Sequence, residues 1–236
     1  MDLAVAAIDE LYASNTSHYV CVTSAHGLIE CWYNPELRPL FNNSGLTTPD
    51  GMSMVWLMRL FGFEEVSRVY GPDLLLRMCE HSINKGYKHF FYGGAPGVPE
   101  KLAQNLSDQF PGLQIVGTYS PPYRALTAEE DQEIIKQINE ADADFVWVGL
   151  GTPKQEIWMN EHVNKLDTPV LVGVGAAFDF ISGTKKQAPK WIQGSGFEWL
   201  FRLATEPQRL WRRYIQYPYF AVLIFFQMIG FIKFEE

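Results

Sequence analysis

The sequence predicts an α/β fold, a parallel sheet covered by helices on both faces. Three observations carry the prediction. Strand-length runs alternate along the chain with helical stretches of about ten to fifteen residues. Several of those runs, among them Phe145-Val-Trp-Val148 and Pro169-Val-Leu-Val172, are continuously apolar, as strands buried on two faces are. Glycine turns follow at their carboxyl ends, as in Gly93-Gly94 and Gly149-Leu-Gly151.

The elements follow in order. Met1 to Glu10 carries acids and no basic stretch, so it reads as an amphipathic helix and not a secretory signal. Tyr19 to Ser24 is β-rich and forms the first strand. A helix from Ala25 to Asn34 is halted by Pro35. Leu46 to Gly51 is a short extended piece ending in a turn, before an apolar helix from Met52 to about Phe61. Gly71-Pro72 opens the next helix, with Leu74, Leu75, Met78 and Cys79 at helical spacing. Lys88 to Tyr92 is a strand running into Gly93-Gly-Ala-Pro-Gly97, and a helix follows from Val98 to about Phe110. Leu113 to Tyr119 is another strand. Thr127 with Glu130 makes a capping-box start for a helix reaching about Ala141. The strand from Phe145 turns at Gly149-Leu-Gly151 into a helix whose first turn tolerates Pro153. Pro169 to Gly175 is the last strand.

The chain has 236 residues, 47% hydrophobic and 19% charged, enough for one large domain or a domain with an appendage. Its formal charge of −8 argues against nucleic-acid binding, which leaves a basic footprint. Cys21, Cys31 and Cys79 lack metal-ligand spacing and suit buried thiols in a reducing cytoplasm. Composition changes near Gln193-Gly-Ser-Gly196, dividing a core of residues 1–193 from an appendage of residues 194–236. Between positions 197 and 218 the appendage holds four arginines against two acids, and Gln227 is the one strongly polar residue from Tyr219 to Ile232. As a helix that run is roughly 21 Å long, against about 30 Å of bilayer hydrocarbon. Two readings stay open. The segment attaches peripherally to an anionic membrane face, or it packs on the domain or at a subunit interface. The basic cluster directly before the apolar run favours the membrane.

Residues 145–159 read as strand, tight turn and helix, which aims backbone N–H groups at whatever lies above the strand. Such a place suits a phosphate, though an ordinary connector has the same pattern. Gly93-Gly94 is a second such turn, placed to lie beside Gly149, Gly151 and Thr152. Asp50 stands at a strand end between Pro49 and Gly51, either a plain turn or a carboxylate projected into a crevice as general base. Asp179 follows a strand between aromatics, as a helix cap or a substrate contact. His26, just beyond the first strand, either lines the crevice or, as the simpler reading, is a surface or capping residue. No phosphate-loop, dinucleotide or nucleophile-elbow pattern is present, and no His or carboxylate spacing forms a metal site, so neither metal nor cofactor is expected.

Taken together, Thr23, Thr48-Pro-Asp-Gly51, Arg68-Val-Tyr-Gly-Pro-Asp73, Tyr92-Gly-Gly-Ala-Pro-Gly97, Val148-Gly-Leu-Gly-Thr-Pro-Lys-Gln-Glu156 and Gly173-Val-Gly-Ala-Ala-Phe-Asp-Phe-Ile-Ser-Gly183 resemble the WecG/TagA/CpsF family of bacterial glycosyltransferases. The resemblance continues through Gly194 to Tyr214 and covers nearly the whole chain. It implies a Rossmann-like core and a metal-independent, inverting transfer from a UDP-sugar donor to a polyprenyl-diphosphate-linked sugar acceptor. The enzyme would lie peripherally on the inner face of the cytoplasmic membrane and serve cell-surface polysaccharide assembly. Asp50 matches the family's proposed base, and Thr23, Gln155 and Asp179 match pocket residues. Arg202, Arg209 and Arg212 match appendage arginines that meet diphosphate charge. One departure bears on sugar recognition: the family often has asparagine two places after the threonine, and this chain has Ala25, with His26 beside it. The rival reading is a non-catalytic nucleotide-binding or membrane scaffold protein that kept the fold; a homo-oligomer is compatible with either.

Overall fold

The computed structural model describes residues 1–14 and 16–231. Ile232, the end of the predicted apolar run, lies outside the described residues. Six strands form one parallel sheet: β1 (His18–Thr23), β2 (Leu46–Pro49), β3 (Lys88–Gly93), β4 (Gln114–Tyr119), β5 (Phe145–Gly149) and β6 (Val170–Gly173), in the order β2-β1-β6-β5-β3-β4. The α/β class read from the sequence is thus the observed one. The helices of the core are α1 (Asp2–Ala13), α2 (Ala25–Tyr33), α3 (Arg38–Asn42), α4 (Met52–Leu60), α5 (Gly71–Lys85), α6 (Val98–Gln109), α7 (Ala128–Glu140), α8 (Lys154–His162) and α9 (Ala177–Ile181). Four more follow: α10 (Lys190–Ser195), α11 (Glu198–Thr205), α12 (Pro207–Tyr214) and α13 (Gln216–Met228).

Local chemistry accounts for the boundaries. Pro72 occupies the first turn of α5, where its missing N–H costs nothing, and Gly86 at φ 72° ends that helix in a left-handed cap. Thr127 and Glu130 exchange side-chain and backbone hydrogen bonds at the start of α7. Pro153 stands one position earlier than expected, at the cap of α8, so that helix begins at Lys154.

Two apolar cores lie on opposite faces of the sheet, because successive strand residues point to opposite sides. Phe91, Phe145, Trp147, Val170 and Val172 meet α1, α5, α6 and α9 on the first face. Phe90, Tyr92, Val146, Val148 and Leu171 meet α7 and α8 on the second. Full burial of each such side chain contributes about 1.5–3 kcal/mol. The fully buried polar residue His89 of β3 is accommodated because its Nδ1 accepts the Trp147 Nε1–H at 2.9 Å.

The topology leaves a crevice. Neighbouring strands β1 and β6 hand the chain to opposite faces, since Gly27 of α2 packs near Phe41 on the second face and α9 belongs to the first. Where adjacent connections diverge like this, the carboxyl ends of the strands stay uncovered and form a binding site. The four last helices close over that edge: α11 packs on α10 and α12, and α13 packs on both α12 and α2. The helix α13 is 13 residues long. Among the described residues no helix is long and apolar enough to cross a membrane.

Candidate active site

The crevice is lined from three directions. The strand ends supply Asp50, Gly149, Gly151, Thr152, Gln155 and Asp179; the core adds His26 and Tyr70; the appendage adds Arg202, Arg209 and Arg213. Residues separated by more than 150 positions therefore face one another across a single cleft.

Asp50 follows β2 directly, and its Oδ1 accepts the Gly71 N–H at the start of α5 at 3.0 Å. Its carboxyl pKa is pushed up to about 6, chiefly by burial, against the pull of Arg68 and the Gly71 N–H. A carboxylate poised there is ionised at neutral pH and still basic enough to take a hydroxyl proton. Arg68 fixes the turn. Its Nε donates to the Asp50 carbonyl, its NH1 to the Gln193 carbonyl at 2.9 Å and its NH2 to Glu198 Oε2 at 2.5 Å. The guanidinium also lies 4.1 Å from the Tyr70 ring centroid. One side chain thus ties the candidate base to the appendage. Arg68 opens one of the blocks that resemble the family, but nothing in its local pattern marks this tie.

The loop after β5 is held from within. Gly151, at φ 78°, adopts a left-handed conformation, and its N–H donates to Gln155 Oε1 at 3.1 Å. Gln155 Nε2 and Thr152 Oγ1 both donate to Glu156 Oε1 at 3.0 Å. Glu156 is fully buried, burial raises its pKa, and its Oε2 has no hydrogen-bond partner. Gln155 accordingly spends both ends of its amide on the loop, shaping the cleft wall rather than standing free within it.

The cationic side of the cleft comes from the appendage. Arg202 is flanked by the Phe180 ring, 5.4 Å away, and its Nε is buried without a partner. Burial works against its charge, but Tyr214, Glu198, Asp50 and Glu206 outweigh it and hold the pKa above the ordinary value. Arg213 is pulled below its ordinary value by burial, with Arg202 and Arg209 adding to the effect. Arg209 Nε donates to Glu206 Oε2 at 2.7 Å. Clustered like charges with an unused buried donor are relieved by an entering anion, and a diphosphate supplies the matching acceptors. Asp179 lies opposite, paired through Oδ2 with Lys185 Nζ at 2.5 Å. Lys185 also reaches Glu206 at 3.4 Å, a second link between core and appendage.

Four of the residues singled out in the sequence stand away from the cleft lining. Thr23 is buried beneath the cleft floor, against Gly27 of α2. Gly93 and Gly94 lie at the neighbouring strand end: a Cβ on Gly93 would come within 2.7 Å of the Gly149 backbone, and the Gly94 N–H donates to the Gly149 carbonyl. Their task is close packing of β3 against β5. Arg212 turns outward, 5.4 Å from the Trp211 ring centroid, and Arg213 takes the cleft-facing position. Of the two places open to His26, the structure gives it the crevice and not the surface. It is 6% exposed and lines the cleft, with burial and Arg213 lowering its pKa to about 3. A neutral imidazole therefore stands near where the family's asparagine is missing. Among the described residues no group of three or more His, Cys, Asp or Glu side chains is placed to hold a metal ion.

Residues 1–233 match the family model described as the glycosyl transferase WecG/TagA/CpsF family. An N-acetylglucosaminyldiphosphoundecaprenol N-acetyl-beta-D-mannosaminyltransferase of Bacillus spizizenii is 31% identical over 195 residues, which is 83% of this chain and 74% of that protein. A protein of the same description from Bacillus subtilis (strain 168) is 30% identical over 185 residues, 78% of this chain and 70% of that protein. The chain belongs to the glycosyl transferase WecG/TagA/CpsF family.

Proposed function

We propose that this protein transfers a sugar from a UDP-sugar to a polyprenyl-diphosphate-linked saccharide, with inversion and without a metal ion, at the inner face of the cytoplasmic membrane. The observation that supports this reading best is the meeting of one raised-pKa carboxylate, Asp50, with Arg202, Arg209 and Arg213 in a single cleft. Inverting transfer is one displacement. It needs a base for the acceptor hydroxyl and stabilisation of the departing nucleoside diphosphate. Asp50, held by the Gly71 N–H, takes the proton. Asp179 is less suited to that role because Lys185 already neutralises it. The three arginines meet diphosphate charge, and the Gly149–Gln155 loop, held from within, forms the facing wall of the cleft. The relatives' names describe a lipid diphosphate carrying N-acetylglucosamine, and an acceptor of that chemistry suits this cleft. Membrane association is supported by exposed apolar residues on the appendage, among them Phe197, Leu200, Ile215 and Phe231.

The test is a screen of UDP-sugars against one polyprenyl-diphosphate-linked N-acetylglucosamine acceptor, in excess chelator, with the anomeric configuration of the product read by NMR. Transfer with inversion is expected. Retention of configuration, or activity lost to chelator and restored by Mg²⁺ or Mn²⁺, would overturn the mechanism. Absence of transfer from every nucleotide sugar would favour the non-catalytic scaffold instead.

A further inference from the structure

Beside the polar cleft runs a second cavity of quite different character. It is a groove of about 930 Å³ between α4 and the helices α11 to α13, lined by aliphatic and aromatic side chains such as Met54, Trp56, Leu57, Tyr217, Ile224 and Phe225. Its size is at the upper end of that of small-ligand sites. Trp56 and Phe225 stay 51% and 58% exposed, so the groove is apolar surface left uncovered by the fold.

The two cavities share their walls. On α12, Arg209 and Arg213 line the cleft while Trp211 and Tyr214 line the groove. At the start of α2, Ser24 and His26 line the cleft and Ala25, between them, lines the groove. Polarity therefore reverses within the thickness of one helix, about 10 Å. A lipid diphosphate reverses polarity over a similar distance, at the ester bond joining phosphate to its hydrocarbon chain. Further, α13 is apolar on two sides: Ala221, Ile224 and Phe225 line the groove, while Val222 and, just past the end of the helix, Ile229 are exposed and do not line it. A flat bilayer surface has use for the outer side. The concave inner side fits a single chain.

We propose that this groove holds the first isoprene units of a polyprenyl diphosphate, whose diphosphate lies where groove and cleft meet, beside Arg213 on the shared helix α12, leaving Arg202 and Arg209 to the departing nucleoside diphosphate. The inference rests on the reading of the cleft as a lipid-diphosphate site and adds the path of the lipid. It makes the acceptor's chain, and not only the membrane around it, a determinant of binding.

The experiment measures binding to the full-length protein without any donor sugar. Farnesyl diphosphate, inorganic pyrophosphate and farnesol are titrated by calorimetry and by the fluorescence of tryptophans, three of which, Trp56, Trp199 and Trp211, line the groove. Farnesyl diphosphate should bind at least about tenfold more tightly than pyrophosphate, from the methylenes withdrawn from water. Ile224→Asp should abolish that advantage and leave pyrophosphate affinity unchanged. Ala221→Phe, which fills the groove without adding charge, should do the same and guards against a misfolded aspartate variant. The double variant Val222→Asp with Ile229→Asp should weaken flotation with anionic phospholipid vesicles and keep the farnesyl preference.

Equal binding of farnesyl diphosphate by wild type and the groove variants would overturn the proposal. So would loss of vesicle flotation in those variants with isoprenoid binding intact, which makes the groove a bilayer face. Conversion of a dimer to a monomer with isoprenoid binding intact would make it an interface between copies, and equally sink the idea. Failure of sugar transfer leaves these titrations readable, so the proposed reaction and the groove fall separately.

Discussion

Replacing Asp50 by asparagine removes a charge while keeping an acceptor for the Gly71 N–H, which the wild-type Oδ1 binds at 3.0 Å. The carboxyl pKa rises from 3.8 to about 6 in the folded protein, with burial the leading cause. At about 1.4 kcal/mol for each tenfold change, the ionised carboxylate costs the fold at most about 3 kcal/mol. Solvent at the half-open cleft screens part of this, leaving roughly 1–2 kcal/mol. The folded state binds this proton more tightly than the unfolded chain, so wild-type stability falls as pH rises between about 4 and 6. Asp50→Asn lacks that fall. Urea unfolding of the two proteins should give equal contributions below pH 4 and a variant more stable by about 1–2 kcal/mol above pH 6. Turnover should move the other way, with kcat/KM lowered by about 10²–10⁴ when the base is lost. In the wild type, kcat/KM should rise through an apparent pKa near 6, with about a tenth of the plateau at pH 5. A variant with unchanged turnover removes Asp50 as base. A variant that is inactive yet no more stable at pH 7.5 refutes the claim that burial sets its pKa.

Other outcomes follow from the same geometry. Arg213→Ala should lower kcat/KM about a hundredfold, whereas Arg212→Ala, turned toward Trp211, should stay within a few-fold; steady-state kinetics on the pair decide which arginine meets the diphosphate. Glu198→Ala leaves Arg68 without its 2.5 Å partner in a site where both side chains are 14% exposed, and should destabilise the fold by about 3 kcal/mol in thermal or urea melts. Gly93→Ala combines φ 129° with a 2.7 Å approach to the Gly149 backbone, and should cost at least about 1–3 kcal/mol, measured as a fall in Tm. Ending the chain at Gly194 removes the Arg202, Arg209 and Arg213 side chains together, and should abolish transfer to a lipid acceptor; full activity in that truncation would contradict an appendage contribution to the site.

The strand-and-helix alternation was legible because apolar runs and glycine turns are local signals. So were the capping box at Thr127 and the proline-opened start of α5. The candidate site was legible in a different way. Asp50, Gln155, Asp179 and Arg202 came from matching blocks, and the structure places all four on one cleft. Facing direction was beyond reach. Neighbouring Arg212 and Arg213 have the same chemistry, and only the packing of α12 decides which one turns inward. Likewise, Thr23 and Val22 are adjacent on β1, so they point to opposite faces of the sheet, and Val22 is the one in the cleft wall. Whether His26 lines the crevice or the surface was likewise open until the packing of α2 placed it in the cleft.

By itself, the sequence determined the six strands, the longer helices between them and the change of composition near Gln193, because propensity, caps and periodicity act over a few residues. The short helices α3, α9 and α10 carry too few residues for such a signal, and α1 runs on to Ala13, three residues past its expected end. Tertiary structure alone decided the strand order β2-β1-β6-β5-β3-β4, and with it where the crevice opens. It alone decided that Arg68, bound to Asp50, also reaches Glu198 across 130 positions, and that a polar cleft and an apolar groove share α12. These are long-range facts, set by which faces bury one another, and no local pattern of residues encodes them.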